Sequence, residues 1–144
     1  MSILVKVAES LDEFKLALQI RRQVFVEEHR VPEEIEADQY DHVAVHFLAW
    51  DGKKEIGTGR LRWTDLETAK VERVAVQKEY RHSGTGKKIM EVMEQYAREK
   101  GTKKIVLHAP LEAVPFYEKI GYQKEGAPFV EGIREHLKLF KLLE

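Results

Sequence analysis

"VERVAVQKEYRHSGTGKKIM", residues 71–90, begins with the composition of a strand and ends with that of a helix, and the joint between them decides how the chain is read. Val71, Val74, Ala75 and Val76 make the first part β-rich. From Lys87 to Lys100, Ile89, Met90, Met93, Tyr96 and Ala97 follow a 3.6-residue period that stops at Gly101, a good helix terminator. "KIVLHA", residues 104–109, is a strand again. Strand, helix and strand over residues 70–109 form a βαβ unit, whose two strands should be parallel with a right-handed crossover.

The joint itself carries Gly84 and Gly86. Glycine lets the backbone turn sharply and approach a ligand closely, and the unpaired N–H groups of a starting helix then face that ligand. This is an anion site. Three glycine-bearing loops fail against it. A P-loop needs glycine where this chain has Arg81, and a magnesium-binding hydroxyl where it has Lys88. A dinucleotide fingerprint needs a third glycine where Ile89 stands. A nucleophile elbow around Ser83 needs glycines where Arg81 and Thr85 stand.

Outward from the joint, "HVAVHFLAW", "KEIGTGRLRW" and "AKVERVAV" are three β-rich runs separated by turn-like "DGKK" and "TDLET", which predicts an antiparallel meander. "ILVKVA" reads as an N-terminal strand. "SLDEFKLALQIRRQVF" reads as a helix opened by a capping box, Ser10 with Glu13, and placing Phe14, Leu18 and Phe25 near one face. "LEAVPFYEKIGY" is a shorter helix with Pro115 in its first turn, and "HLKLFKLL" a last strand. The fold class expected is mixed α/β, with a mostly antiparallel sheet around the central βαβ unit. At 144 residues with 43% hydrophobic content and no linker, residues 1–144 read as a single domain.

Composition narrows the chemistry. With 24 Lys plus Arg against 25 Asp plus Glu, the net charge of −1 gives no field for a polyanion, so no nucleic acid partner is expected. The absence of Cys removes disulfides, thiolate metal sites and a Cys nucleophile. No targeting segment or membrane-length apolar run is present, and the expectation is a soluble cytoplasmic protein with no membrane partner. His42 and His46 have the spacing of a helical metal pair, but on a strand they stand roughly 13 Å apart at about 3.3 Å per residue. Both read as strand residues, His46 near the acceptor pocket, and no metal is expected.

Arg81-x-x-Gly84-x-Gly86 after "VERVAVQKEY" resembles the pyrophosphate loop of the GNAT family of acyl-CoA N-acyltransferases. Ala113, Tyr117, Gly121 and Tyr122 stand at the spacing of the family's second motif, and the two motifs with the elements between them cover about residues 56–125. The N-terminal "RRQVFVEEHRVPEEIEADQYD" is similar to that of a small bacterial subgroup. The resemblance implies the GNAT fold, with helices on both faces and parallel strands that splay apart.

It also implies an N-acetyltransferase that moves an acetyl group from acetyl-CoA, the co-substrate, to a primary amine on a small molecule or peptide, by direct attack in a ternary complex. The alternative is a non-catalytic acyl-CoA-binding module. Homodimer formation is left open. By the same resemblance, the backbone of Val74 and Val76 pairs with pantetheine, and the Val76 N–H polarises the thioester carbonyl. The amides of His82, Ser83, Gly84, Thr85, Gly86 and Lys87 hold the pyrophosphate, with Arg81 shaping the turn and Lys87 adding charge. Tyr117 occupies the general-acid position. Pro110 stands where many members have an Asn that contacts pantetheine.

The amine's proton needs an acceptor. Regular alternation puts Glu72 in phase with Val74 and Val76, on the same face of the strand, and Glu72 is taken as the base. Its other reading is a structural carboxylate paired with an Arg. His108, at the end of the opposite strand, is the second candidate, because an imidazole titrates near neutrality, and water is the third. Between Glu27 and Asp41 stand seven acids (Glu27, Glu28, Glu33, Glu34, Glu36, Asp38 and Asp41), read either as a solvated loop or as a rim drawing in a cationic amine.

Overall fold

The computed structural model describes residues 2–144; Met1, the first residue of the expected domain, lies outside them. The elements are β1 (Ile3–Val7), α1 (Leu11–Arg21), which runs into a π-helical segment (Arg22–Glu28), α2 (Glu33–Glu36), β2 (Val45–Asp51), β3 (Lys54–Trp63), β4 (Thr68–Val76), α3 (Thr85–Glu99), β5 (Lys104–Pro110), α4 (Val114–Lys119), β6 (Gln123–Glu131) and β7 (Arg134–Leu142). They form one seven-stranded sheet in the order β1-β2-β3-β4-β5-β7-β6. Only β4 and β5 are parallel among the pairs described. The sheet is therefore the mixed, mostly antiparallel one expected, with the parallel pair at its centre.

That pair is short. It runs from Thr68 opposite Lys104 to Val71 opposite Leu107, after which β4 continues to Val76 and β5 to Pro110 with no further pairing between them among the described residues. The strands part, and the edge so exposed carries unpaired backbone groups.

Two apolar clusters lie on opposite faces. Ile89, Met90, Met93 and Ala97 of α3 pack with Phe47, Leu61, Val71, Leu107 and Leu139 on one face. Close approach is possible because β3 carries Gly57 and Gly59: a Cβ on them would lie 2.9 Å from Ile89 Cδ1 and 2.8 Å from Met93 Cε. On the other face Ala17, Ile20 and Val24 pack on Leu48 and Ala75. The buried apolar stripe of α1 is thus Ala17 and Ile20, continued by Val24, with Phe14, Leu18 and Phe25 half-buried on its flanks. The cap is as read: Ser10 Oγ accepts from Glu13 N at 3.1 Å, while the Glu13 carboxylate accepts from Glu9 N one residue further out.

One boundary differs from the sequence reading, and one strand, β6, is absent from it. The run expected as a strand from His42 begins at Val45, because residues 39–42 form a 3₁₀ turn capped by Asp38; His42 is not a strand residue. β6, "QKEGAPFVE", carries Gly126 and Pro128 and breaks register between Glu125 and Phe129. Proline is tolerated there because β6 is the sheet edge.

Candidate active site

The site is built where β4 and β5 part. A bulge shapes it. Thr58 pairs with Ala75 and Arg60 with Glu72, so β4 spends one residue more than β3 over that interval. Arg73, at φ +57°, absorbs the extra residue. The bulge inverts the alternation, and the expectation that Glu72 shares a face with Val74 and Val76 is corrected. Val74 and Val76 pack on the α3-side cluster, whereas Ala75 joins the α1-side one and Glu72 meets the α1-side loops through Arg60.

The Val76 backbone faces the opening. Gln77 N donates to Ile56 O at 2.9 Å, so the alternation of an antiparallel ladder turns the N–H and C=O of Val76 away from β3. Arg81 Nε donates to that carbonyl at 3.0 Å, and its guanidinium also reaches Glu28 at 2.7 Å. Arg81 thus fixes the turn by holding the end of β4.

Below the opening lies the N-terminus of α3. His82 at φ +62° and Gly84 at φ +90° turn the chain, and the first backbone bond into the helix is Lys88 N to Gly84 O at 3.0 Å. The N–H groups of Thr85, Gly86 and Lys87 therefore project from the helix start toward the solvent side. His82, Ser83, Gly84 and Lys87 are exposed and Thr85 is buried, its hydroxyl 2.9 Å from that of Ser83. A Cβ on Gly86 would meet the Phe116 ring at 3.3 Å. One glycine is needed for its φ and the other for space. Helix-start amides beside an open strand edge fit an acyl-CoA, whose pyrophosphate needs donors and whose pantetheine amides need an edge to pair with.

Tyr117, on α4, is 9% exposed, between Phe116 and Tyr122 at ring separations of 4.9 and 5.8 Å. Its hydroxyl has no protein partner among the described residues, and burial pushes its pKa up to about 12. Tyr122 is tied elsewhere, its hydroxyl donating to the buried Glu94 at 2.8 Å. Pro110 ends β5 opposite His136 and brings no side-chain donor.

Glu72 is held by cations. Arg60 donates to it at 2.8 Å and Arg62 at 2.7 Å, and Lys70 lies 3.2 Å away. Burial alone would raise its pKa, but the Arg62 hydrogen bond and the charges of Arg60 and Lys70 prevail and hold it at about 2. A carboxylate that acidic accepts a proton poorly at neutral pH. Of the readings offered by the sequence, the structural carboxylate describes its surroundings.

The acidic segment divides: Glu27, Glu28, Glu33 and Glu34 are exposed, as a solvated loop implies, whereas Glu36, Asp38 and Asp41 are drawn inward onto arginines. Arg21, fully buried, donates to Glu36 and Asp41, each at 2.8 Å; Arg60, also fully buried, donates to Asp38 at 2.7 Å and Asp41 at 2.8 Å. Arg73 bridges Glu36 and Asp38 at 3.2 and 3.1 Å. Glu28 is taken by Arg81, and Glu27 and Glu33 by Arg22. Counting cations inside residues 27–41 missed these partners because they come from α1, the π-helical segment, β3, β4 and the turn before α3. His46 faces Phe14 and is 7% exposed, with Nε2 3.0 Å from Asp41 O; burial lowers its pKa, and it belongs to this packed region.

A sheet opened between parallel strands above a glycine-turned helix start defines an acyl-CoA-type transferase site, and the comparisons agree. The model of the acetyltransferase (GNAT) domain matches residues 42–124. A Bacillus subtilis protein named an uncharacterized N-acetyltransferase, YjcF, is 37% identical over 136 residues, covering 94% of this chain and 96% of that protein. A Lactobacillus plantarum crystal structure, provisionally described as an N-acetyltransferase, superposes with a TM-score of 0.92 at 25% identity, with 100% of both chains covered. A GNAT acetyltransferase of Elizabethkingia anophelis, solved with acetyl-CoA bound, superposes at 0.76 with 21% identity over 98% of each chain. This chain belongs to the GNAT acetyltransferase family. Among the described residues, no helix is long and apolar enough to cross a membrane.

Proposed function

We propose that this protein transfers an acetyl group from acetyl-CoA to a primary amine, on a small molecule or peptide, by direct attack in a ternary complex in the cytoplasm. The observation that carries the reading is the opening after Val71 and Leu107, with the Val76 N–H turned toward it and the amides of α3 at its foot. The acetyl-CoA bound by the Elizabethkingia neighbour supports the same ligand here.

In this reading the Val74 and Val76 backbone aligns pantetheine, the His82–Lys87 amides hold pyrophosphate, and the Val76 N–H stabilises the oxyanion that forms when the amine attacks. The Tyr117 hydroxyl, which makes no hydrogen bond to a protein group among the described residues, protonates the leaving sulfur. Glu72 keeps Arg60 and Arg62 in place beside the opening, its own charge being met by those two guanidiniums. A second reading, an acyl-CoA-binding module without turnover, draws on the cations that hold Glu72.

One experiment separates them. Calorimetry with acetyl-CoA, CoA and ATP is paired with a thiol-release assay over a panel of primary amines. Transfer predicts binding of both CoA species but not ATP, and thiol release with at least one amine. Binding with no release across the panel selects the module, and binding of ATP as tight as CoA removes both readings.

A further inference from the structure

The acetyl-transfer reading leaves open which group removes the amine's proton. His108 is the first residue of β5 beyond its last pairing with β4. Leu107 and Ala109 belong to the α3-side cluster, so His108 presents to the opposite face, the one on which Glu72 lies. α1 covers β2, β3 and β4 on that face, and the His108 side chain retains 24% of its exposure. Glu72 on β4 and His108 on β5 are thus the first residues beyond the last β4–β5 pairing, on the same face of the sheet.

The imidazole is oriented. Its Nδ1 lies 2.9 Å from Glu131 Oε2 on β6. A carboxylate only accepts, so Nδ1 carries a proton, and in the neutral ring the lone pair is on Nε2. Among the described residues Nε2 has no protein partner. Phe129 meets the ring edge-on at 4.9 Å and itself stacks on His136 at 6.2 Å. The hairpin that presents Glu131 is tied down by Arg134, which reaches Glu112 and lies 3.0 Å from His29 Nδ1. The charged and titratable groups around His108 are Glu131 on β6, Lys138 opposite it on β7, His136 beside Phe129, and Glu72 across the opening; Lys138 is paired with Glu125 at 2.9 Å.

We infer that His108 is the proton acceptor of this site and that Glu131 positions it and stabilises the imidazolium. The acceptor arrives as an ammonium ion. His108 Nε2 takes one proton from it and passes that proton to solvent, freeing the nitrogen lone pair. The lone pair forms the C–N bond to the thioester carbonyl carbon, the C–S bond breaks, and the second proton shed by nitrogen is balanced by the one gained by sulfur. One ammonium ion and one thioester thus give an amide, a thiol and a solvated proton.

The test uses the full chain with spermidine, tyramine and a lysine-containing peptide as probes. His108→Gln should lower kcat/KM at pH 7 by roughly 30-fold or more and flatten the acid limb of its pH profile, while the calorimetric Kd for CoA stays within about twofold. Glu131→Gln should lower kcat/KM less and move the acid limb to lower pH, because removing the carboxylate destabilises the imidazolium; this variant carries the test if His108→Gln fails to fold. Activity within about threefold of wild type in His108→Gln, far less than a general base contributes, or an unmoved limb in Glu131→Gln, would overturn the pair alone. A wild type that binds CoA yet acetylates none of the three amines overturns the transfer reading and the pair with it.

Discussion

Arg60 and Glu72 face each other across β3 and β4 at 2.8 Å, and their contact joins the rim of the opening to the folded acidic segment. Arg60 is fully buried and its other nitrogen holds Asp38 and Asp41, so each carboxylate is there to neutralise a cation that has lost its water.

Acid should loosen this region in a defined window. The Glu72 and Asp41 pKa values are each held at about 2, below their ordinary values. The folded state then binds fewer protons than the unfolded one below about pH 5, so their contribution is complete above that pH and declines as pH falls toward 2. For Glu72 it is on the order of 3 kcal/mol at neutral pH. Urea unfolding of Glu72→Gln should show lower stability at pH 7, since three cations lose a partner, and a shallower fall between pH 5 and 3 than wild type. Equal slopes for the two proteins would mean that Glu72 is not held as described.

Arg73 should prove a clamp rather than a strand filler. Its φ of +57° is costly for a residue with a Cβ, by about 1 kcal/mol, and its guanidinium returns that by bonding Glu36 O at 3.1 Å and pairing with Glu36 and Asp38. Arg73→Gly removes strain and clamp together. Global stability should change by less than about 1.5 kcal/mol, while amide exchange of residues 35–41 accelerates at least tenfold, about 1.4 kcal/mol of local opening. Unchanged exchange there would assign the bulge to β4 alone.

The same residue shows where sequence reading reaches and where it stops. The βαβ joint, the Ser10 cap and the α3 stripe were legible because each is set by residues a few positions apart. "VERVAV" offers no local sign of a bulge, because what makes one favourable at Arg73 is Glu36 and Asp38, which stand far earlier in the chain. A phase argument from alternation alone then puts Glu72 on the wrong face. β6 was hidden for a related reason: Gly126 and Pro128 argue against a strand unless it is known to lie at an edge. The Tyr117 and Arg81 motifs were visible by spacing, whereas the His108–Glu131 contact joins β5 to a strand the pattern does not announce.

The two loop glycines should fail differently. Gly84→Ala meets no atom within 4 Å but is strained at φ +90°, so it should cost about 1 kcal/mol of stability and reorient the amides that precede α3. Gly86→Val drives its side chain into Phe116. Adding Phe116→Ala to Gly86→Val should restore much of the lost stability and leave Gly84→Ala unaffected, measured by thermal unfolding of the four variants. Absence of any coupling between positions 86 and 116 would show that the loop, rather than the ring, demands that glycine.

Tyr117 is the sharpest test of catalysis. Tyr117→Phe removes one oxygen that has no hydrogen-bond partner among the described residues, so packing against Phe116 and Tyr122 and the affinity for CoA should hardly change. The chemical step should slow by about 10² to 10⁴, or roughly 3 to 5 kcal/mol of barrier, the usual contribution of a general acid. With its pKa pushed up to about 12, the phenol stays protonated as pH rises through neutrality and beyond, so wild-type single-turnover rates should show no alkaline decline from this group below about pH 11. A proton donor is also needed less when the leaving thiol is more acidic. The wild-type advantage should therefore shrink for an acetyl donor with a lower thiol pKa. A loss under about threefold with CoA as leaving group, the fold and CoA affinity being intact, would make Tyr117 a packing residue and hand thiolate protonation to water.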